Sequence, residues 1–402
     1  MDFGGPLDRL PASSSNEPVD EVPREVQAVE PAESDQRNGG TALCLSGGGV
    51  RSILFHVGAI WRIVELGLLD QITRVSSVSA GSVVAAQLAL NWHRLMDTSD
   101  GPSSAYREAI VDPLREFASH TTDFPAILRG ILPGITAGGA LAGAFSRRLY
   151  GDRTLQDLPD EPRFVINAAN LGTSSVFRFS KPYAADYRVG LWTRPSLRIA
   201  DAVAASGAFP PFFAPFFIDM SKHNASFQPS GDLSGDRAYS RGLYLADGSL
   251  FDSFAMDAVY HRCHTVLVSD GAGRTQAVAE ATSRSDIVRQ IPRLLTLYDL
   301  RVRNQTYRNL IGAYESNQRA GTYWGMRTDI TQYQAPDALP CSFAETQVLA
   351  QIPTRLAALS STLQEGLINW GYAVSDAALR RHVVRDAPPP PGFPFPSSGL
   401  GV

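Results

Sequence analysis

The chain has 402 residues, 44% of them apolar, with a net charge of −4 and a pI near 6.0. That length buries a large core and admits one big α/β domain or two smaller ones. The near-neutral balance offers no basic face, which excludes nucleic acid as a partner class.

Residues 1–39 hold nine acids and three arginines, a net of −6, and almost no aromatics. Such a segment cannot bury enough apolar surface to offset its ordering entropy, and disorder is expected there. Met1 to Pro6 carries no basic n-region and no apolar h-region, so no secretory signal is expected. Cys44, Cys263 and Cys341 are too few and too scattered for a disulfide framework, which predicts a reducing, cytoplasmic compartment. No run of about 20 apolar residues is free of charges or breakers, so any membrane contact is expected to be peripheral.

Residues 41–45 read as a buried strand, and 52–69 as a helix with Ile53, Val57, Ile60, Ile63 and Val64 at helical spacing. Between them lies Gly47-Gly48-Gly49-Val50-Arg51. Residues 72–78 form a second strand and 81–95 a second helix, with Ser79 in the turn between them. Residues 127–145 are apolar but interrupted by Pro133 and several glycines, which fits a mobile interfacial patch or plain core packing. Residues 164–167, 244–246 and 265–268 are further strands. Residues 287–312 form an arginine-laced helical run. Ser361-Thr362-Leu363-Gln364 resembles a capping box, opening a helix with Leu363, Leu367 and Trp370 on one face. Residues 387–402 are a proline-rich tail, a loose end or a docking peptide. Strands alternating with helices predict an α/β fold with a mostly parallel central sheet flanked by helices. Residues 40–386 are read as one domain, its C-terminal helices layered on the sheet.

Glycines at a helix N-terminus expose N–H groups to an anion, either a phosphate or an oxyanion. The spacing fits neither Gly-x-x-x-x-Gly-Lys-Ser/Thr nor Gly-x-Gly-x-x-Gly, because position 52 is Ser. Ser77-Val78-Ser79-Ala80-Gly81 has the spacing of a nucleophile elbow with Ser77 in place of its first glycine, or is a turn with a chance serine. A serine needs a base. None of the seven histidines lies in a distinctive motif, and His261-Arg262-Cys263-His264 lacks a second ligand pair for zinc. Asp247, at the end of a strand and followed by Gly248, is the better base. The expected reason is that open α/β sheets place their sites at the carboxyl ends of strands.

Taken together, these segments resemble the patatin-like phospholipases and the related cytosolic calcium-dependent phospholipases. Ser46 to Arg51 resembles their oxyanion loop, Ser79 with Gly81 the elbow, and Asp247-Gly248 the Asp-Gly of the dyad. Residues 149–159 and 205–213 resemble two further family segments, and the likeness spans about 41–270. The resemblance implies a serine lipid acyl hydrolase with a Ser–Asp dyad, no histidine, and no cofactor or metal. By position, Ser79 is the nucleophile and Asp247 the base. Gly48 and Gly49 are the oxyanion donors, with Gly47, Gly81 and Gly248 as motif glycines. Arg51 is either a phosphate head-group contact or a surface or capping arginine. The implied substrate is a membrane phospholipid or lysophospholipid. The alternative is a non-catalytic lipid-binding protein on the same fold, or an enzyme that awaits a regulatory protein or small-molecule activator. Phe209, Phe212, Phe213, Phe216 and Phe217 line an acyl pocket or fill the core.

Overall fold

A computed structural model describes residues 38–97, 102–130, 136–274 and 287–402. Most of the acidic segment and residues 131–135 of the apolar stretch lie outside the described residues. Eleven strands join in one sheet. They are β1 (Asn38–Leu45), β2 (Ile72–Val78), β3 (Arg163–Asn170), β4 (Ser175–Phe179), β5 (Tyr183–Asp186) and β6 (Gly190–Thr193). β7 (Phe216–Asp219), β8 (Ser226–Pro229), β9 (Gly242–Asp247), β10 (Cys263–Asp270) and β11 (Ala320–Gly325) follow. The spatial order is β11-β10-β1-β2-β3-β4-β5-β6-β8, with β9 on β3 and β7 on β9.

From β11 to β3 every pairing is parallel. These strands read as continuous apolar runs because helices cover both faces. Beyond β3 the pairings are antiparallel, a half-sheet of short strands that sequence patterning does not predict. One edge of β3 is taken by β4. The other edge is shared end to end. β2 occupies it as far as Val78↔Asn167, and β9 takes over from Ala168↔Asp247. The residue after β2 and the last residue of β9 therefore meet head-on.

Helix α1 (Gly49–Glu65) is buried from Val50 to Val64, with the sheet on one side and the Ser361–His382 helix on the other. The two helices cross closely at glycines. A β-carbon on Gly58 would fall 1.9 Å from the Ile368 carbonyl oxygen, and one on Gly371 would fall 2.0 Å from that of Phe55. The Ser361–His382 helix is capped by Ser360, one residue before the predicted cap, its hydroxyl accepting the Leu363 N–H. The predicted 81–95 helix is split into α2 (Ala80–Leu90) and a short turn, Trp92–Met96.

The proline-rich tail is not a loose end. Asn369 accepts the Phe395 N–H at 3.0 Å and donates to its carbonyl at 2.8 Å. Trp61 meets the Phe395 ring edge-on, and the Arg115 guanidinium lies 4.6 Å from its centroid. The Ala137–Phe145 helix packs into the core, with Gly138 against Phe213 and Phe216. That is the core-packing alternative for residues 137–145, whereas Leu128, earlier in the same stretch, is exposed.

Candidate active site

β2 ends at Val78, and the chain turns at Ser79 into α2. Ser79 takes φ 53° and ψ −128°, a region costly for any residue with a β-carbon. Ser77 does not prevent this elbow. It lies within β2, on extended backbone that needs no glycine, and its hydroxyl bonds the Val165 carbonyl and Ser82. Gly81 fits the elbow because a β-carbon there would fall 2.3 Å from the Leu45 carbonyl oxygen.

Ser79 donates its hydroxyl proton to Asp247 Oδ2 at 2.7 Å. The other carboxylate oxygen accepts the Ser249 N–H at 2.9 Å and the Ser249 hydroxyl at 2.7 Å. Ser79 is half-buried and Asp247 almost wholly buried behind it. Burial pushes the Asp247 pKa above the ordinary carboxylate value, against the hydrogen bonds from Ser79 and Ser249. Asp299 adds to the upward push as a nearby like charge. The expected reason for Asp247 needs correction: β9 runs antiparallel to β3, so this is not the carboxyl end of a parallel strand. Asp247 reaches Ser79 because β9 and β2 share one edge of β3.

The glycine loop closes the third side. A β-carbon on Gly47 would lie 2.8 Å from Ser79 Cβ and 3.2 Å from its Oγ. Gly48 and Gly49 have φ of 149° and 68°, which favour glycine, and both are partly exposed. No described residue accepts a hydrogen bond from the Gly48 or Gly49 N–H. The next N–H, that of Val50, is taken by the Arg355 carbonyl at 2.8 Å.

Arg51 lies in the interior, so the surface alternative does not hold. It is 1% exposed, and its guanidinium donates to the Gly271 and Ile352 carbonyls and the Thr354 hydroxyl. Burial lowers its pKa to about 10. It fastens the 352–355 segment to the glycine loop.

Behind the loop lies a polar layer that local sequence does not signal. Ser46 donates to Asp270 Oδ1 at 2.9 Å, and Arg303 does so at 2.6 Å. Tyr323 donates to Asp270 Oδ2 at 2.8 Å. Burial would raise the Asp270 pKa, but Arg303, Arg327 and Tyr323 hold it below the usual value. His56 is fully buried, 2.9 Å from the Ser46 carbonyl, and burial holds its pKa down to about 4. It stands behind the glycine loop, its ring nitrogens on Ser52, Ser269 and the Ser46 carbonyl. Among the described residues no cluster of metal-binding side chains occurs, and no helix is long and apolar enough to cross a membrane.

A comparison of the sequence with known families matches residues 43–260, just over half the chain, to the patatin-like phospholipases. The chain belongs to the patatin-like phospholipase family. Comparison with curated proteins finds no match. Among solved structures, the chain is similar to human GIVD cytosolic phospholipase A2 in complex with methyl gamma-linolenyl fluorophosphonate. That match has 13% identity and a TM-score of 0.48, and covers 88% of this chain but 60% of the human one. VipD from Legionella pneumophila matches at 15% identity and a TM-score of 0.33, over 85% of this chain and 67% of its own. Within the patatin-like region lie Ser79, Asp247 and the glycine loop; Asp270, Arg303 and the 352–355 segment lie beyond it.

Proposed function

We propose that this patatin-like chain hydrolyses acyl esters of phospholipids or lysophospholipids through Ser79 and Asp247. The observation that carries the reading is the 2.7 Å hydrogen bond from the Ser79 hydroxyl to a buried carboxylate whose other oxygen is held by Ser249. Asp247 takes the serine proton as Ser79 attacks the ester carbonyl. The tetrahedral oxyanion then lies against the unoccupied N–H groups of Gly48 and Gly49. Collapse leaves an acyl-serine and expels the lysolipid, or the glycerophosphodiester where the substrate is a lysophospholipid, its alkoxide taking the proton back from Asp247. Asp247 next activates water to release the fatty acid. The raised Asp247 pKa suits this role, because a base is most effective near the operating pH.

Lipid is the fitting substrate class for a second reason. Phe209 and Phe212 are exposed, the latter by 60%, directly after Ala208, whose carbonyl accepts the Asp247 N–H at 2.9 Å. They present apolar surface beside the dyad, as a peripheral lipid contact requires.

A fluorophosphonate probe tests the reading against the lipid-binding alternative. Covalent labelling mapped to Ser79, and lost in Asp247→Ala with the fold retained, is the expected result. An unlabelled wild type would favour a binding protein.

A further inference from the structure

A nucleophile elbow needs something to hold it. The Ser79 N–H points away from the sheet ladder and precedes the helix, so no regular element satisfies it. Its acceptor is Ser206 Oγ at 2.8 Å. Ser206 is the last residue of the Ile199–Ser206 helix and is fully buried. Its own proton goes to the Asn167 carbonyl at 2.7 Å. Asn167 is the β3 residue at which β2 hands over to β9. Ser82 Oγ lies 2.9 Å from Ser206 Oγ and 3.0 Å from Ser77 Oγ, filling the space beneath the turn with hydroxyls. Two residues on, the Ala208 carbonyl accepts the Asp247 N–H at 2.9 Å. Residues 206–208 thus hold one backbone N–H of each dyad partner.

We infer that Ser206 is a positioning residue for acyl transfer: its hydroxyl pins the strained Ser79 backbone to β3 and so fixes the Ser79–Asp247 distance. The inference rests on the reading of Ser79 as nucleophile. Ser77 acquires a role within it. A glycine at 77 would leave Ser82 and the Val165 carbonyl without that hydroxyl, so the serine matches a polar, not an apolar, filling under the elbow.

The test separates positioning from stability. Fluorophosphonate labelling of wild type, Ser206→Ala and Ser82→Ala is followed over a range of probe concentrations, beside their thermal melts. Both variants lose one buried hydroxyl, so comparable melting shifts are expected. Only Ser206→Ala strips the Ser79 N–H of its acceptor. Its maximal labelling rate falls by up to about 10²-fold, the scale of a misplacement near 1 Å, with the half-saturating concentration little changed. Ser82→Ala labels close to the wild-type rate. Equal rates in wild type and Ser206→Ala overturn the inference and leave the hydrolase reading intact. Parallel slowing of both variants in step with their melts makes Ser206 merely structural and also overturns it. An unlabelled wild type overturns the hydrolase reading, and this inference with it. If Ser206→Ala does not fold, Ser206→Cys keeps the side-chain shape with a larger terminal atom and weakens the acceptor. It is expected to slow in the same way, and a wild-type rate there contradicts the proposal.

Discussion

Ser79 holds a positive φ without being glycine, a conformation that costs about 1–3 kcal/mol and persists only where the surroundings enforce it. Its surroundings are Ser206 on the N–H, Asp247 on the hydroxyl and Gly47 against the side chain. Asp247 must be ionised to accept the serine proton. Its folded pKa is raised by burial, so activity is lost as pH falls through a value above the ordinary carboxylate pKa of about 3.9. A pH profile of turnover should show that acid limb in wild type. In Asp299→Asn the limb should move down, because one like charge is removed. Arg51 makes the opposite kind of prediction. Arg51→Lys cannot serve the Gly271 and Ile352 carbonyls and Thr354 together. A stability loss of about 1–3 kcal/mol is expected by denaturant titration, with selectivity among phospholipid head groups unchanged. A change in head-group selectivity would restore Arg51 to the substrate.

At the scale of elements, the Ile287–Glu315 helix joins the two halves of the site. Arg303 reaches Asp270, which holds Ser46 at the glycine loop, and Asp299, which accepts from Ser253 below Ser249. Arg303→Met would strand the buried Asp270 carboxylate. Breaking such a pair costs about 3–5 kcal/mol, measurable as a lowered denaturation midpoint. The double variant Arg303→Met/Asp270→Leu should regain much of that loss.

β1, β2, β3, β9 and β10 are legible as apolar runs because both faces of the central sheet are covered. β4 to β8 are not, being four or five residues long and paired with strands close in sequence, and Ser226–Pro229 is largely exposed. β11 overturns part of the expected helical C-terminal layer: Ala320–Gly325 is a strand paired in parallel with β10, and Gly321 at φ 124° hides it from patterning. The dyad positions were legible because each lies in a local turn signal. Ser206, Arg303 and His56 were not. Their site partners are 127, 33 and 10 or more residues away, and a lone buried polar residue carries no local signature. Arg51 was read from its place in the motif, but the 352–355 segment that engages it lies some 300 residues on.

The whole molecule carries its acid sensitivity in its core. His56 stays neutral when folded until about pH 4, against 6.5 for a free histidine. Between those values the unfolded chain binds a proton that the folded chain refuses. Stability is therefore lost as pH falls through that window, by up to about 3 kcal/mol. Denaturant titrations at pH 7 and pH 4.5 should show His56→Gln losing less than wild type over the same interval. The fold also encloses the site from sequence-distant parts. The C-terminal helices and docked tail brace α1, whose first turn continues from the glycine loop. The central claim is that this architecture serves ester cleavage at Ser79. Mass spectrometry of phospholipid and lysophospholipid vesicles incubated with wild type and Ser79→Ala tests it most directly. Free fatty acid is expected from wild type and none above background from Ser79→Ala, with both proteins folded; equal release by the two would rule out ester cleavage at Ser79.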